Sequence, residues 1–345
     1  MRVPPAKRYA VEEERTKNRS WMAALSQKGT SASFAPKGCF LKEGKHMQLN
    51  VQPAGIYRFS VGTFTCMVVN DVEGSAAFPA RAYGVNVSAE QMEQALSLHG
   101  YPGKELPFQL SVLFIDTGER KILVDTGNGV TPEEANGQWA SGIIRHNLQA
   151  AGIDPTTIDT ILISHVHDDH VGGILDEHGQ LAFPNAHYVL SQTSRDYWFS
   201  SPLLEKLPQH IQQQMIPAMR DVLTRVESRL IFAEPGQEIL PGITALDAPG
   251  HMPGHFAFVI ASQGEQLLLV NDALVHHLIS VEHPDWHFLM DTNPEQAVQT
   301  RRLLLSRAGD TGALVFGCHF NWPGLGHIRQ QDGHWVWEPI AYRWQ

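Results

Sequence analysis

The sequence predicts a layered α/β fold, and two observations lead there. From Ile56 onward short β-rich runs alternate with helical ones, a mixture that fits neither a helical bundle nor an all-β sandwich. A chain of 345 residues that is 43% hydrophobic can also bury the extended core that stacked layers need. No repeat of the solenoid kind is present.

Residues 1–50 are polar without sustained periodicity and read as an N-terminal tail, poorly ordered, ahead of a folded domain over 51–345. A short amphipathic helix around Trp21–Leu25 is the alternative reading, and Met47 is a candidate for the authentic start. Within the domain, Thr63–Val69 reads as a strand. Ala89–His99 reads as a helix with Ser88 as N-cap, Gln91 closing a capping box and Gly100 as the stop. Leu110–Ile115 and Lys121–Val124 flank Thr117-Gly118-Glu119-Arg120, a hairpin signature. Thr131-Pro132 opens a helix that Gly152 ends. Strand His187–Leu190 precedes a helical region over Gln209–Ser228, interrupted at Pro217. Ile243–Leu246, Phe256–Ile260 and Leu267–Val270 read as strands, Asn293-Pro294 opens a helix toward Ala308, and Ala313–Phe316 is a further strand.

Directly after the apolar segment Thr160–Ser164 comes His165-Val166-His167-Asp168-Asp169-His170. With 18 His in 345 residues, His-x-His-x-acid-His should arise by chance in roughly one chain in two hundred. Residues two apart on an extended or loosely turned backbone project to the same side. His165 and His167 can then grip one ion while Asp169 and His170 turn toward a second, with Asp168 pointing away. Imidazole with carboxylate suits zinc, with manganese, iron or cobalt as alternatives, and excludes an all-oxygen calcium cage. A solvated, His-rich polar loop is the bland alternative.

Other strand ends carry similar groups. His251 sits on a loop stiffened by Pro249-Gly250 and Pro253-Gly254, and completes a three-nitrogen set with His165 and His167; a lone loop His is otherwise simply solvated. Asp272 follows the apolar run Gln266–Val270, where a buried carboxylate is costly unless paired with a cation; it either bridges two metals or caps a following turn. His319, after Val315-Phe316-Gly317-Cys318, completes a second set with Asp169 and His170. Neighbours on a strand face opposite ways, so His319 is the expected ligand and Cys318 a small buried residue. Asp125 is expected to organise the loop beneath the site as a hydrogen-bond acceptor, whereas Asp116 belongs to an ordinary turn. His255, His276, His277 and His327 are supporting candidates, each more readily structural. Phe64, Trp198, Phe199, Phe320 and Trp322 either line an apolar pocket or belong to the core.

A net charge of −10 without long basic blocks argues against nucleic acid and against anionic lipid as partners. No apolar run approaches the ~18–20 residues needed to cross a bilayer. The basic start Met1–Arg8 is followed by no apolar stretch, so no secretory signal is expected. Cys39, Cys66 and Cys318 are odd in number and widely spaced, which fits a reducing, cytoplasmic setting. A small-molecule substrate is the expected partner, with monomer and homodimer both open.

In this order, Asp125-Thr126-Gly127, His165–His170, Pro249-Gly250-His251, Asp272 and His319 resemble the metallo-β-lactamase superfamily, over about residues 54–345. Within it, His319–Ile328, Phe183–Ala186 and Asp196–Phe199 look most like the methyl parathion hydrolase group. The resemblance implies a four-layer αββα sandwich with a dinuclear site at one edge. It places His165, His167 and His251 on a first metal, Asp169, His170 and His319 on a second, and Asp272 as the bridge. Homoserine-lactone lactonases share this set. The small lactonases also carry a tyrosine three residues after the bridging Asp, where this chain has Val275, and that departure lowers the expectation of lactonase activity. Cys-ligand β-lactamases and glyoxalase II are disfavoured, the first by Asp169-His170 and the C-terminal context, the second by the absence of its C-terminal signature.

The implied function is hydrolysis of an ester, lactone or phosphotriester. A hydroxide shared by two divalent metals, zinc by donor type, would form because bound water falls from a pKa of about 15.7 toward about 7. One metal would polarise the substrate oxygen. Asp169, orienting the hydroxide, and Asp272 are the expected catalytic residues. A homoserine-lactone-type lactonase is the alternative. Of other classes, a di-iron redox protein is opposed by His167, where the flavodiiron branch typically has Glu, and a non-catalytic metal-binding module stays open.

Overall fold

The computed structural model describes residues 55–73, 77–101, 104–129 and 140–341. The expected tail, the Trp21–Leu25 helix, Cys39 and the helix start at Thr131-Pro132 lie outside the described residues. The described residues all belong to one unit, Val51–Gln345.

Two seven-stranded mixed sheets are each laid down in chain order. The first consists of Ile56–Val61, Phe64–Asn70, Ser111–Asp116, Lys121–Val124, Thr160–Leu162, His187–Ser191 and Leu230–Ala233. Its opening four strands pair antiparallel and the rest join in parallel. The second consists of Glu238–Leu240, Ile243–Asp247, Phe256–Ser262, Glu265–Leu269, Leu314–Phe316, Leu325–Gln331 and His334–Pro339. Here Glu265–Leu269 and Leu314–Phe316 pair in parallel, and the remaining neighbours are antiparallel.

The period-two alternation of apolar side chains sorts these strands into layers. Cys66, Val68, Ile122, Val124 and Leu162 meet Phe256, Phe258, Ile260, Leu267 and Leu269 in the core between the sheets. Met67, Val69, Leu123 and Ile161 face the other way, onto the helices Ile144–Ala150, Gln192–Ser200 and Met215–Val226. Ala257, Val259, Leu268 and Val315 likewise face the helix Pro294–Thr311. The result is the expected αββα sandwich. Each fully buried Val, Leu or Phe contributes about 1.5–3 kcal/mol, so all three apolar interfaces hold the layers together.

Local signals fared unevenly. The helix Ala89–Leu98 opens on the expected capping box, with the Gln91 N–H donating to Ser88 Oγ at 3.2 Å and the Ser88 N–H to Gln91 Oε1 at 2.9 Å. The helix expected from Thr131-Pro132 to Gly152 is corrected: its described part contains a short strand, Ala140–Ser141, and helix only over Ile144–Ala150. The break in the Gln209–Ser228 region falls at Gln214, with Pro217 inside the first turn of Met215–Val226. A proline ring would clash with the carbonyl four residues earlier, Gln213, if the helix were continuous, so the chain breaks just before it.

Direction matters most for function. Lys121–Val124 and Thr160–Leu162 run parallel, so both C-terminal ends reach one edge of the first sheet. Ile243–Asp247, two antiparallel steps from Glu265–Leu269, shares its direction and that of Leu314–Phe316. The Phe256 N–H donates to Ser164 O at 2.8 Å and ties the two edges together.

Close backbone approach beneath this edge leaves no room for a side chain at Gly172, where a Cβ would lie 1.9 Å from the Asn128 carbonyl oxygen. Gly172→Ala should therefore destabilise the fold by about 1–3 kcal/mol, read as a lowered urea midpoint. An unchanged midpoint would contradict the packing described.

Candidate metal centre

After Leu162 the chain bends at Ser164, is extended at His167 (φ −105°, ψ 161°) and then turns into the short helix Asp168–Val171. Period two brings His165 and His167 to one side, while the helical turn re-aims Asp169 and His170. Asp168 is exposed.

The six-residue run thus feeds two groups. In the first, His167 Nδ1 lies 2.9 Å from His165 Nε2 and 3.1 Å from His251 Nε2. Burial, with the neighbouring histidines adding to it, pushes the His165 ring well below its ordinary value and the His167 ring down to about 3. Both present lone pairs at neutral pH. A single hydrogen can satisfy one such pair but not three convergent nitrogens, whereas ligands of a tetrahedral zinc ion stand about 3.3 Å apart.

In the second group, His170, Asp272, Cys318 and His319 offer donor atoms all within 4.8 Å of one another. Asp169 stands beside it, with Oδ1 3.6 Å from His170 Nε2 and Oδ2 3.5 Å from His319 Nε2. Asp272 faces both groups, with Oδ1 3.1 Å from His170 Nε2 and Oδ2 3.4 Å from His251 Nε2. Burial disfavours charge on every member. Even so, His170 and His319 hold Asp272 well below the usual carboxylate range, and Asp272, Asp169 and Asp125 raise His170.

These residues fit a pair of divalent metal ions. His170 Nε2 is buried among the donors without a hydrogen-bond partner, and burying so many imidazoles and carboxylates is costly without a cation to compensate them.

A surrounding layer fixes the rings. Asp125, in a left-handed backbone conformation (φ 61°), accepts from His170 Nδ1 at 2.8 Å and from the Ser164 N–H and Oγ, each at 2.8 Å. That leaves His170 Nε2 as the free donor. His319 Nδ1 lies 2.8 Å from Gln109 O, and His251 Nδ1 lies 3.1 Å from Asp291 Oδ1. Asp291 in turn pairs at 3.5 Å with the buried Arg301 of the helix Pro294–Thr311. His255 packs its ring 5.0 Å from His165 and bonds the Ala248 carbonyl. His276 and His277 stack on each other outside both groups, and His327 bonds the Ala313 carbonyl.

Cys318 is a small buried residue, as expected. Strand alternation would turn Cys318 away from the site, but the strand ends at Phe316, and the turn after it brings Cys318 and His319 to the same place. Asp291, Arg301, Tyr83 and Phe288 carry no signal in the sequence that marks them for this site. Phe288 stacks on His251 with ring centroids 6.0 Å apart, and Tyr83 stacks on Phe288 at 5.3 Å. Of the aromatics weighed as pocket or core, Trp198 lies edge-on to His167 at 6.4 Å but is fully buried, and Phe320 packs on Trp337. Phe199 lies under the Arg195 guanidinium, and Phe64 and Trp322 pack against the core between the sheets.

The chain matches the metallo-beta-lactamase superfamily over residues 106–319 and belongs to it. N-acyl homoserine lactonase AiiA of Bacillus thuringiensis subsp. kurstaki is 30% identical over 190 residues, covering 50% of this chain and 66% of that protein. An atrochrysone carboxyl ACP thioesterase of Passalora fulva is 26% identical over 177 residues, 51% of this chain and 41% of that one. The matches thus span two thirds or less of these relatives. Among solved structures, AidC, a dizinc quorum-quenching lactonase in complex with a product, superposes with a TM-score of 0.76 at 27% identity, covering 84% of this chain and 98% of that one. The hydrolase AbOPH shares the fold, with a TM-score of 0.74 at 24% identity over 85% of this chain and 99% of that one.

Asp125→Asn puts an amide where the His170 and Ser164 donors converge, and should weaken metal affinity by about 10–100-fold without unfolding the protein. Competition with a chelator measures this, and unaltered affinity would remove Asp125 from the supporting role.

Proposed function

We propose that the chain is a dinuclear metal-dependent hydrolase of ester-type bonds, with lactones and simple esters ahead of phosphotriesters. The observation that carries this reading is Asp272, whose two oxygens face the two donor groups. His165, His167 and His251 would hold one ion, and Asp169, His170 and His319 the other, with Asp272 between them. Zinc suits this imidazole-rich set best. Bound there, the metals supply an acidified water and an electrophile for the substrate oxygen.

The chain's own groups do the rest. Asp169, half-buried beside the second group, would accept a hydrogen bond from the attacking water through its carboxylate and fix its direction. Tyr83 is the hydrogen-bond donor for charge developing on the substrate. Burial, then the charges of Asp272 and Asp169, push its phenol above the ordinary range, so it keeps its proton. It shares an apolar cluster with Val275, the position where the small lactonases carry tyrosine. Tyr83 would thus supply from a different segment the phenol that position 275 lacks.

The lactonases named above support the lactone reading. The relatives found are homoserine lactonases and do not single out the methyl parathion hydrolase group, whose likeness rests on His319–Ile328, Phe183–Ala186 and Asp196–Phe199 alone and keeps phosphotriesters among the substrates to be tried. Among the described residues no helix is long and apolar enough to cross a membrane. Cytoplasmic residence belongs to the same proposal and accords with Cys66 and Cys318, both buried free thiols.

A panel of p-nitrophenyl esters, acyl-homoserine lactones, phosphotriesters and β-lactams tests the reading. Ester or lactone turnover should vanish on chelation, return with zinc and be absent in Asp272→Ala that keeps its circular dichroism. Tyr83→Phe should lower kcat by about 10²-fold at unchanged metal content. Zinc-loaded protein that turns over nothing in the panel would sink the hydrolase reading, and turnover of β-lactams alone would sink the substrate class.

A further inference from the structure

The dinuclear reading accounts for every member of the second donor group except Cys318. Its position is not accidental to the turn. The Cys318 carbonyl accepts from the Ser111 N–H at 2.9 Å, and the next residue is fixed through His319 Nδ1 to Gln109 O at 2.8 Å. These two bonds to the segment Gln109–Ser111 hold the turn, and the thiol is buried, with Sγ 3.5 Å from Asp272 Oδ1. Sulfur and oxygen ligands of one zinc ion stand about 3.1–3.6 Å apart, from a right-angled to a tetrahedral arrangement. His170 Nε2, in the same group, is buried 3.1 Å from Asp272 Oδ1 without a hydrogen bond and marks the place where a cation belongs.

We propose that Cys318 is a thiolate ligand of the second metal position. On coordination the S–H bond would break, a sulfur–metal bond would form and the proton would leave to solvent. A soft donor among imidazoles and a carboxylate favours zinc or cobalt over manganese at that position. The competing arrangement is a neutral thiol that only donates a hydrogen bond to Asp272.

The proposal rests on the dinuclear reading, and cobalt spectroscopy separates the two. Full-length protein reconstituted with Co2+ should show visible d–d bands together with a near-ultraviolet thiolate-to-cobalt charge-transfer band. Cys318→Ser should lose the charge-transfer band, while Cys66→Ala and Cys39→Ser keep it, each variant still taking up cobalt. Wild-type protein with d–d bands and no charge-transfer band would overturn the Cys318 assignment while leaving the metal centre intact, as would a band that survives Cys318→Ser. If no d–d bands appear at all, the metal-centre reading fails, and the Cys318 assignment with it.

Discussion

The site depends on one electrostatic constraint: nitrogen lone pairs and carboxylates are packed more closely, and further from water, than protons alone can neutralise. His167 Nδ1 has a ring nitrogen at 2.9 Å and another at 3.1 Å. His165 and His170 are fully buried, and His251 and Asp272 nearly so. Buried groups of this kind persist only where something compensates them. Two cations do so economically, and metal binding is then coupled to the stability of the edge that holds the donors.

The fold meets this constraint by direction rather than by local sequence alone. Strands from both sheets end at a common edge, and each end delivers a donor or a group that orients one. Asp125 holds a sparsely populated left-handed conformation to aim its carboxylate at His170 and Ser164. Arg301 carries the support outward, through Asp291 to His251, into the helix that covers the second sheet. The ring orientations therefore rest on the packing of an outer layer, which is why the layers and the chemistry stand together.

Much of this was legible in the sequence. Alternating apolar residues announced most of the strands, Ser88 and Gln91 announced a capping box, and the compact His-x-His-x-acid-His spacing carried its own geometry. Signals that depend on where an element stops were not legible. Cys318 looks like a strand neighbour of His319 because nothing in Val315-Phe316-Gly317 says that pairing ends at Phe316. Ile144–Ala150 reads as a longer helix because a two-residue strand leaves no periodic trace. Asp291, Tyr83 and Phe288 gain their meaning only from residues distant in the chain, a relation that one sequence does not display. The aromatics singled out for the pocket are mostly core, because size and apolarity are the same in either role.

Two metal ions held by one chain at this edge can be counted directly. The most direct measurement is elemental analysis of zinc-reconstituted protein, joined to anomalous scattering from its crystals. The account predicts two equivalents per chain and two peaks, one among His165, His167 and His251, the other among His170, Asp272 and His319. A single peak, or well under two equivalents after reconstitution, would contradict it.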